Sequence, residues 1–139
     1  MRIVFDMDGT LADLTHRRHF VEKKPKDWGA FFAACSEDTP HLHALAVLEA
    51  LKRDHDVEVW SGRPERCRTD TEEWFLRWML WVPPLRMRAD GDFRADDIVK
   101  EEFLAKYGWP DLIFDDRDRV VAMWRRNGIP CFQVAEGAF

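Results

Sequence analysis

The chain has 139 residues, 46% of them apolar and 34% charged, which suits one domain with a substantial core and excludes a disordered or fibrous protein. Its net charge of -5 argues against a broad nucleic-acid surface, although the basic residues are mostly arginine, whose planar fork matches phosphate oxygens. No apolar run nears the ~18 residues of a membrane span, there is no basic leader, and Cys35, Cys67 and Cys131 lack metal-ligand spacing. The expectation is therefore a cytoplasmic protein with reduced thiols and no membrane association.

In chain order, Ile3 to Met7 reads as a buried strand ended by the Gly9-Thr10 turn. Asp6 and Asp8 both fall at its carboxyl tip, where open α/β sheets bind ligands. Two carboxylates so close need a cation, and Mg2+ is the natural candidate for an all-oxygen site. Trp28 to Cys35 and His41 to Arg53 read as helices, the second with a stripe of Leu42, Leu45, Leu48 and Leu51. A second strand, Val57 to Ser61, leads into Ser61-Gly62-Arg63. Pro64 suits a helix start, and Thr71 to Trp81 continues as a helix. Leu85 to Arg88 is a third strand. The helix from Asp96 to Tyr107 carries Lys100 one turn after Asp96, close enough for Asp96 to orient it. Leu112 to Asp115 is a fourth strand, running into Asp115-Asp116. The helix from Arg119 to Asn127 closes before Gly128 and Pro130, and Cys131 to Ala135 is the fifth strand.

This alternation implies a mostly parallel five-stranded, Rossmann-like sheet with helices on both faces: a three-layer α/β sandwich with the first strand central. The segment from Leu11 to Asp56 must also supply the helix joining two strands, leaving room for only a small helical lid around residues 14–40, with about one helix near Trp28. Strand ends in such a sheet share one edge, so Asp6, Asp8, Ser61, Lys100, Asp115 and Asp116 converge there. A hydroxyl, a lysine and several carboxylates at one edge describe a metal-assisted phosphoryl-transfer site.

Plainer readings stand beside these. Asp115-Asp116 also suits an acidic helix start, Asp96 and Lys100 an ordinary salt bridge, and isolated arginines are usually solvated. Trp74, Trp78 and Trp81 share a helical face, more often core than a platform for bases. His41 and His43 lack a third ligand, and residues 22–27 read as a solvated charged loop.

Asp6-Met7-Asp8-Gly9-Thr10, then Ser61, Lys100 and Asp115-Asp116, resemble the four ordered motifs of the haloacid dehalogenase superfamily. With Arg17, Ser61-Gly62-Arg63, residues 96–102, Asp115-Asp116-Arg117 and the tail from Val120 to Ala135, the chain is similar to the phosphatase domain of bacteriophage polynucleotide kinases. It contains no Gly-x-x-x-x-Gly-Lys-Ser/Thr phosphate loop, so the likeness is to the phosphatase half alone.

The resemblance implies that Asp6 attacks phosphorus to form an aspartyl phosphate. Asp8 would protonate the leaving oxygen and then activate water, its backbone carbonyl also binding Mg2+. Asp115 and Asp116 would complete the metal site, Asp116 as the direct ligand. Lys100 would hold the nucleophile and the phosphoryl group, and Ser61 would donate to a phosphoryl oxygen. Thr10, Arg17, Gly62, Arg63 and Asp96 fall on the substrate side, the two arginines gripping phosphate. The expected function is a Mg2+-dependent polynucleotide 3'-phosphatase with a nearly capless site and a phosphorylated nucleotide or nucleic-acid 3' end as substrate. A nucleotidase acting on free nucleoside monophosphates and a non-catalytic phosphate-binding module are the alternatives. Oligomeric state is not legible in the sequence.

Overall fold

A computed structural model describes residues 1–139. The first strand, β1 (Arg2–Phe5), is the middle of a five-stranded sheet. It pairs in parallel with β4 (Asp56–Pro64) on one side, Arg2 opposite Asp56, and with β6 (Leu112–Asp115) on the other, Ile3 opposite Leu112. Outside these lie β5 (Leu85–Arg88) and β7 (Cys131–Gln133), also parallel. The order β5-β4-β1-β6-β7 puts every strand's carboxyl end on one edge.

Side-chain alternation along β1 explains its unbroken apolar run. Ile3 and Phe5 face one layer, in which α3 (Leu42–Leu51) and α4 (Arg68–Met79) contribute Leu45, Leu48, Trp74 and Phe75. Val4 faces the other, with Phe103 and Leu104 of α5 (Asp96–Tyr107) and Val120 and Trp124 of α6 (Asp118–Arg126). A strand covered on both faces has no polar side to show. The sandwich is thus the three-layer arrangement expected.

Several boundaries differ from the sequence reading. β4 runs on to Pro64, with its register against β5 shifting between Ser61 and Pro64, so Ser61-Gly62-Arg63 belongs to an irregular strand end. Pro64 holds extended dihedrals and does not start the helix; a 3-10 turn (Glu65–Cys67) intervenes and α4 begins at Arg68. Leu42 opens α3 exposed, outside the buried part of its stripe.

After β1 the chain forms β2 (Ala12–Asp13), which pairs antiparallel with β3 (Thr39–Pro40). Between them lies a helical excursion: a 3-10 turn (Thr15–Arg17), α1 (His19–Glu22), α2 (Trp28–Ala33) and a second 3-10 turn (Cys35–Glu37). Residues 23–27 are exposed, as their charge suggests. Trp74 is fully buried, its indole N–H donating to the Asp38 carbonyl at 2.7 Å, while Trp78 is exposed. The tryptophan stripe is therefore core and outer surface. No helix is long and apolar enough to cross a membrane, and all three cysteines are free and buried.

Candidate active site

The strand ends of β1 and β6 converge on a buried acidic cluster. The Asp6 backbone N–H donates to the Phe114 carbonyl at 2.9 Å, keeping Asp6 level with Asp115 across the sheet edge. Carboxylate oxygens of Asp6, Asp115 and Asp116 all lie within 4.8 Å of one another, and all three residues are buried. Lys100, also buried, reaches in from the second turn of α5. Its ammonium lies 2.5 Å from Asp6, 3.1 Å from Asp115 and 3.4 Å from Asp96. One ammonium against three buried carboxylates leaves two negative charges without compensation.

The titration behaviour follows from that imbalance. Burial pushes the Asp6 carboxyl well above the usual range; Lys100 opposes this, while Asp115 and Asp116 add to it. Burial and then Asp115 push Asp116 up to about 6. For Lys100, burial works against the charge, but Asp115 and Asp6 outweigh it and hold the ammonium well above its ordinary value. A hard cation would relieve the cluster, and the all-oxygen donor set suits one.

The carboxylates differ in how far their oxygens are already engaged. Asp115 accepts from Lys100, the Trp124 indole and the backbone N–H groups of Asp116 and Arg117. Asp116 has only the Thr10 hydroxyl, 3.3 Å away, which is also 3.4 Å from Asp6. Asp116 thus keeps the lone pairs a cation needs. Gly9 lets it come this close: Gly9 has φ +88°, and a Cβ there would stand 2.2 Å from Asp116 Oδ2.

Asp8, two residues beyond Asp6, faces a different environment. Its Oδ1 accepts from Arg17 at 2.8 Å and from two nitrogens of Arg63 at 2.8 and 3.0 Å. Burial alone would raise this carboxyl, but Arg63 and Arg17 outweigh it and hold Asp8 below the usual carboxylate range. Both arginines are buried, and both also donate to Asp38, at 2.7 to 2.8 Å. The expected phosphate-gripping guanidiniums are therefore engaged with Asp8 and Asp38, and what their geometry does here is fix Asp8.

Asp38 is absent from the sequence reading. It is 1% exposed and also bonds His16 Nε2 at 2.6 Å, so a carboxylate inside the helical excursion is the hub of the arginine clamp. Burial of two arginines demands a second carboxylate nearby, but their burial is not visible in the sequence.

The remaining residues complete the edge. Ser61 is buried, and its Oγ accepts the Arg63 backbone N–H at 3.0 Å, which leaves the hydroxyl proton free to donate. At Gly62 a Cβ would meet Asp96 Oδ1 at 2.1 Å, so the glycine admits the carboxylate that contacts Lys100. Asp6, Asp8, Asp115 and Asp116 line a cleft of about 840 Å³, whose outer walls include Trp28 from α2 and Phe93 from the loop after β5. His41 and His43 gain no third ligand.

The family model for the polynucleotide kinase PNKP phosphatase domain matches residues 1–139. A bifunctional polynucleotide kinase/RNA ligase of Autographa californica nuclear polyhedrosis virus is 28% identical over 135 residues, covering 92% of this chain and 18% of the viral protein. The structure of the Pnkp1/Rnl/Hen1 RNA repair complex contains a chain that superposes with a TM-score of 0.84 at 30% identity, over 99% of this chain and 43% of that one. This chain thus spans less than half the length of either relative. The haloacid dehalogenase-like protein SP0104 from Streptococcus pneumoniae shares the fold, with a TM-score of 0.63 at 14% identity, covering 95% of this chain and 83% of that one.

Proposed function

This chain belongs to the polynucleotide kinase PNKP phosphatase-domain family, and from that membership we propose a Mg2+-dependent polynucleotide 3'-phosphatase working through an aspartyl phosphate. The observation that carries the chemistry is geometric: Asp6, Asp115 and Asp116 bring carboxylate oxygens within 4.8 Å of one another beside the Lys100 ammonium, while Asp8, two residues on, is held apart from them by Arg17 and Arg63.

In this reading an Asp6 carboxylate oxygen attacks phosphorus, the ester P–O bond breaks, and the leaving oxygen takes a proton from Asp8. Asp8 then accepts a proton from the water that attacks the aspartyl phosphate, releasing inorganic phosphate and restoring Asp6. The clamped position of Asp8 suits the second, proton-accepting half. Lys100 holds Asp6 and the transferring phosphoryl group, Ser61 donates to a phosphoryl oxygen, and Thr10 spans Asp6 and Asp116. Gly62 and Asp96 keep Lys100 in place; Arg17 and Arg63 act through Asp8. Asp6, Asp116 and the Asp8 backbone carbonyl would hold Mg2+, with Asp115 behind, and the ion would supply the charge that lets a carboxylate approach a phosphate.

For the substrate, the support is the family and the open cleft. The excursion at residues 14–40 stands beside the site as a small lid within a single phosphatase domain, leaving room for a chain end. Three free thiols accord with a cytoplasmic protein. The test is phosphate release from a 3'-phosphorylated oligonucleotide, a nucleoside 3'-monophosphate and a nucleoside 5'-monophosphate. The reading requires the oligonucleotide to have the highest kcat/KM. A preference for the 5'-monophosphate would make the protein a nucleotidase, and no release from any substrate would leave a phosphate-binding module.

A further inference from the structure

One outer wall of the cleft carries an arrangement that the reaction chemistry does not use. Trp28 opens α2 with 44% of its surface exposed and lines the cleft. Its ring lies 6.0 Å from that of Phe32 at an interplanar angle of 24°, with Phe31 edge-on at 5.6 Å. Lys26 Nζ sits 5.6 Å above the indole, and the Arg66 guanidinium, from the turn after β4, sits 5.6 Å above Phe32. Cation, indole, phenyl ring and cation follow one another along a wall that the fold assembles from two distant segments. Lys26 has no carboxylate partner, and the one partner of Arg66, Asp90, is 3.9 Å away. The opposite wall differs: Arg94 there is paired with Asp92 and Glu102, and Arg88 with Asp96.

We infer that the Lys26, Trp28, Phe32 and Arg66 wall is the strand-binding subsite: the exposed Lys26 side chain moves off the indole to a substrate phosphate, a base stacks on the Trp28 face it leaves, and Arg66 neutralises the next phosphate. This rests on the polynucleotide reading above and adds where the strand runs. The occupant follows from continuity and charge. The wall opens directly into the cleft that holds Asp6 and Asp8, and it offers positive charge with a rigid aromatic face, the combination that holds a single strand without reading its sequence. Two supporting rings fix the indole in advance, so stacking orders little that is not already ordered.

The experiment measures kcat/KM of the full chain on a 3'-phosphorylated oligothymidylate relative to p-nitrophenyl phosphate, over a range of salt. Trp28→Ala is expected to lower that ratio about 5- to 150-fold, the loss of one base stack, and Trp28→Phe to recover most of it. Lys26→Ala combined with Arg66→Ala should flatten the log-log salt dependence for the oligonucleotide by about 1.4, at roughly 0.7 per phosphate contact on a single strand. Lys52→Ala, at the opposite end of the sheet, should leave the slope as it was. An unchanged ratio in Trp28→Ala, or an unchanged slope in the double variant, overturns the subsite. If Trp28→Ala does not fold, the double variant at exposed positions decides alone. Wild-type protein that does not prefer the oligonucleotide over a nucleoside 3'-monophosphate sinks the polynucleotide reading itself. A wild-type preference that survives Trp28→Ala sinks only the subsite.

Discussion

Removing Asp38 tests whether the arginine clamp organises the site. The carboxylate takes one bond from His16, two from Arg17 and one from Arg63, at 2.6 to 2.8 Å. Asp38→Ala would leave two buried guanidiniums sharing Asp8 alone, whose accepted bonds all fall on one oxygen. Breaking a buried charge pair by deleting one partner costs about 3–5 kcal/mol, a large share of the roughly 5–15 kcal/mol that holds a domain folded. Asp38→Asn keeps the shape and one acceptor oxygen, so about half that loss is expected, read as a lower urea midpoint at unchanged m. With Arg17 and Arg63 free to shift, Asp8 loses its aim, and kcat for p-nitrophenyl phosphate should fall on the order of 100-fold. If Asp38→Asn unfolds within about 1 kcal/mol of wild type and turns over within about twofold, the clamp does not organise catalysis.

Other consequences concern the acidic cluster. Asp6→Asn and Asp8→Asn should each abolish turnover while retaining a cooperative unfolding transition, since an amide neither forms the acyl phosphate nor moves the proton; appreciable phosphate release by Asp6→Asn refutes covalent catalysis. Activity should require Mg2+ and be inhibited by Ca2+, which accepts more ligands and more varied geometry and so engages oxygens needed for attack; equal turnover with both ions refutes the site. Stability of the metal-free protein should fall as pH rises from about 4 to 6. Asp116 has its pKa raised to about 6 from 3.8, so the folded state holds the extra proton in that window and loses it above. The penalty is at most about 3 kcal/mol, and Mg2+ should relieve it at pH 7; melting temperatures that are flat across the window, with and without Mg2+, contradict the charge imbalance.

What was legible in the sequence was whatever the sheet edge collects. Ile3, Val4 and Phe5 read as a doubly covered strand because both their faces are buried, and Asp6, Ser61 and Asp115 could be placed together because parallel strands end side by side. Contacts made across loops were not legible. Asp38 lies in Glu37-Asp38-Thr39-Pro40, which carries no motif, and its partners Arg17 and Arg63 are 21 and 25 residues away. Arginine is seldom buried, so the clamp ran against the usual expectation for its residue type. Trp28 drew attention only as part of a lid helix; its place at the cleft depends on the excursion folding back beside Arg66. The 3-10 turn after Pro64 was hidden because proline suits a strand's end as well as a helix's start.

The position of β1 bears on how the molecule is made. Its neighbours in the sheet come from the middle of the chain and from its last third, so β1 is synthesised before both of its partners and must wait for them. Such distant pairings close slowly, and until they do an apolar strand stands with two open edges available to any other chain. The acidic cluster inherits the same schedule, since Asp6 meets Asp115 and Asp116 only when β6 docks. A nascent or truncated chain ending before Leu112 would therefore carry no fraction of the activity; it would present a sticky hydrophobic strand.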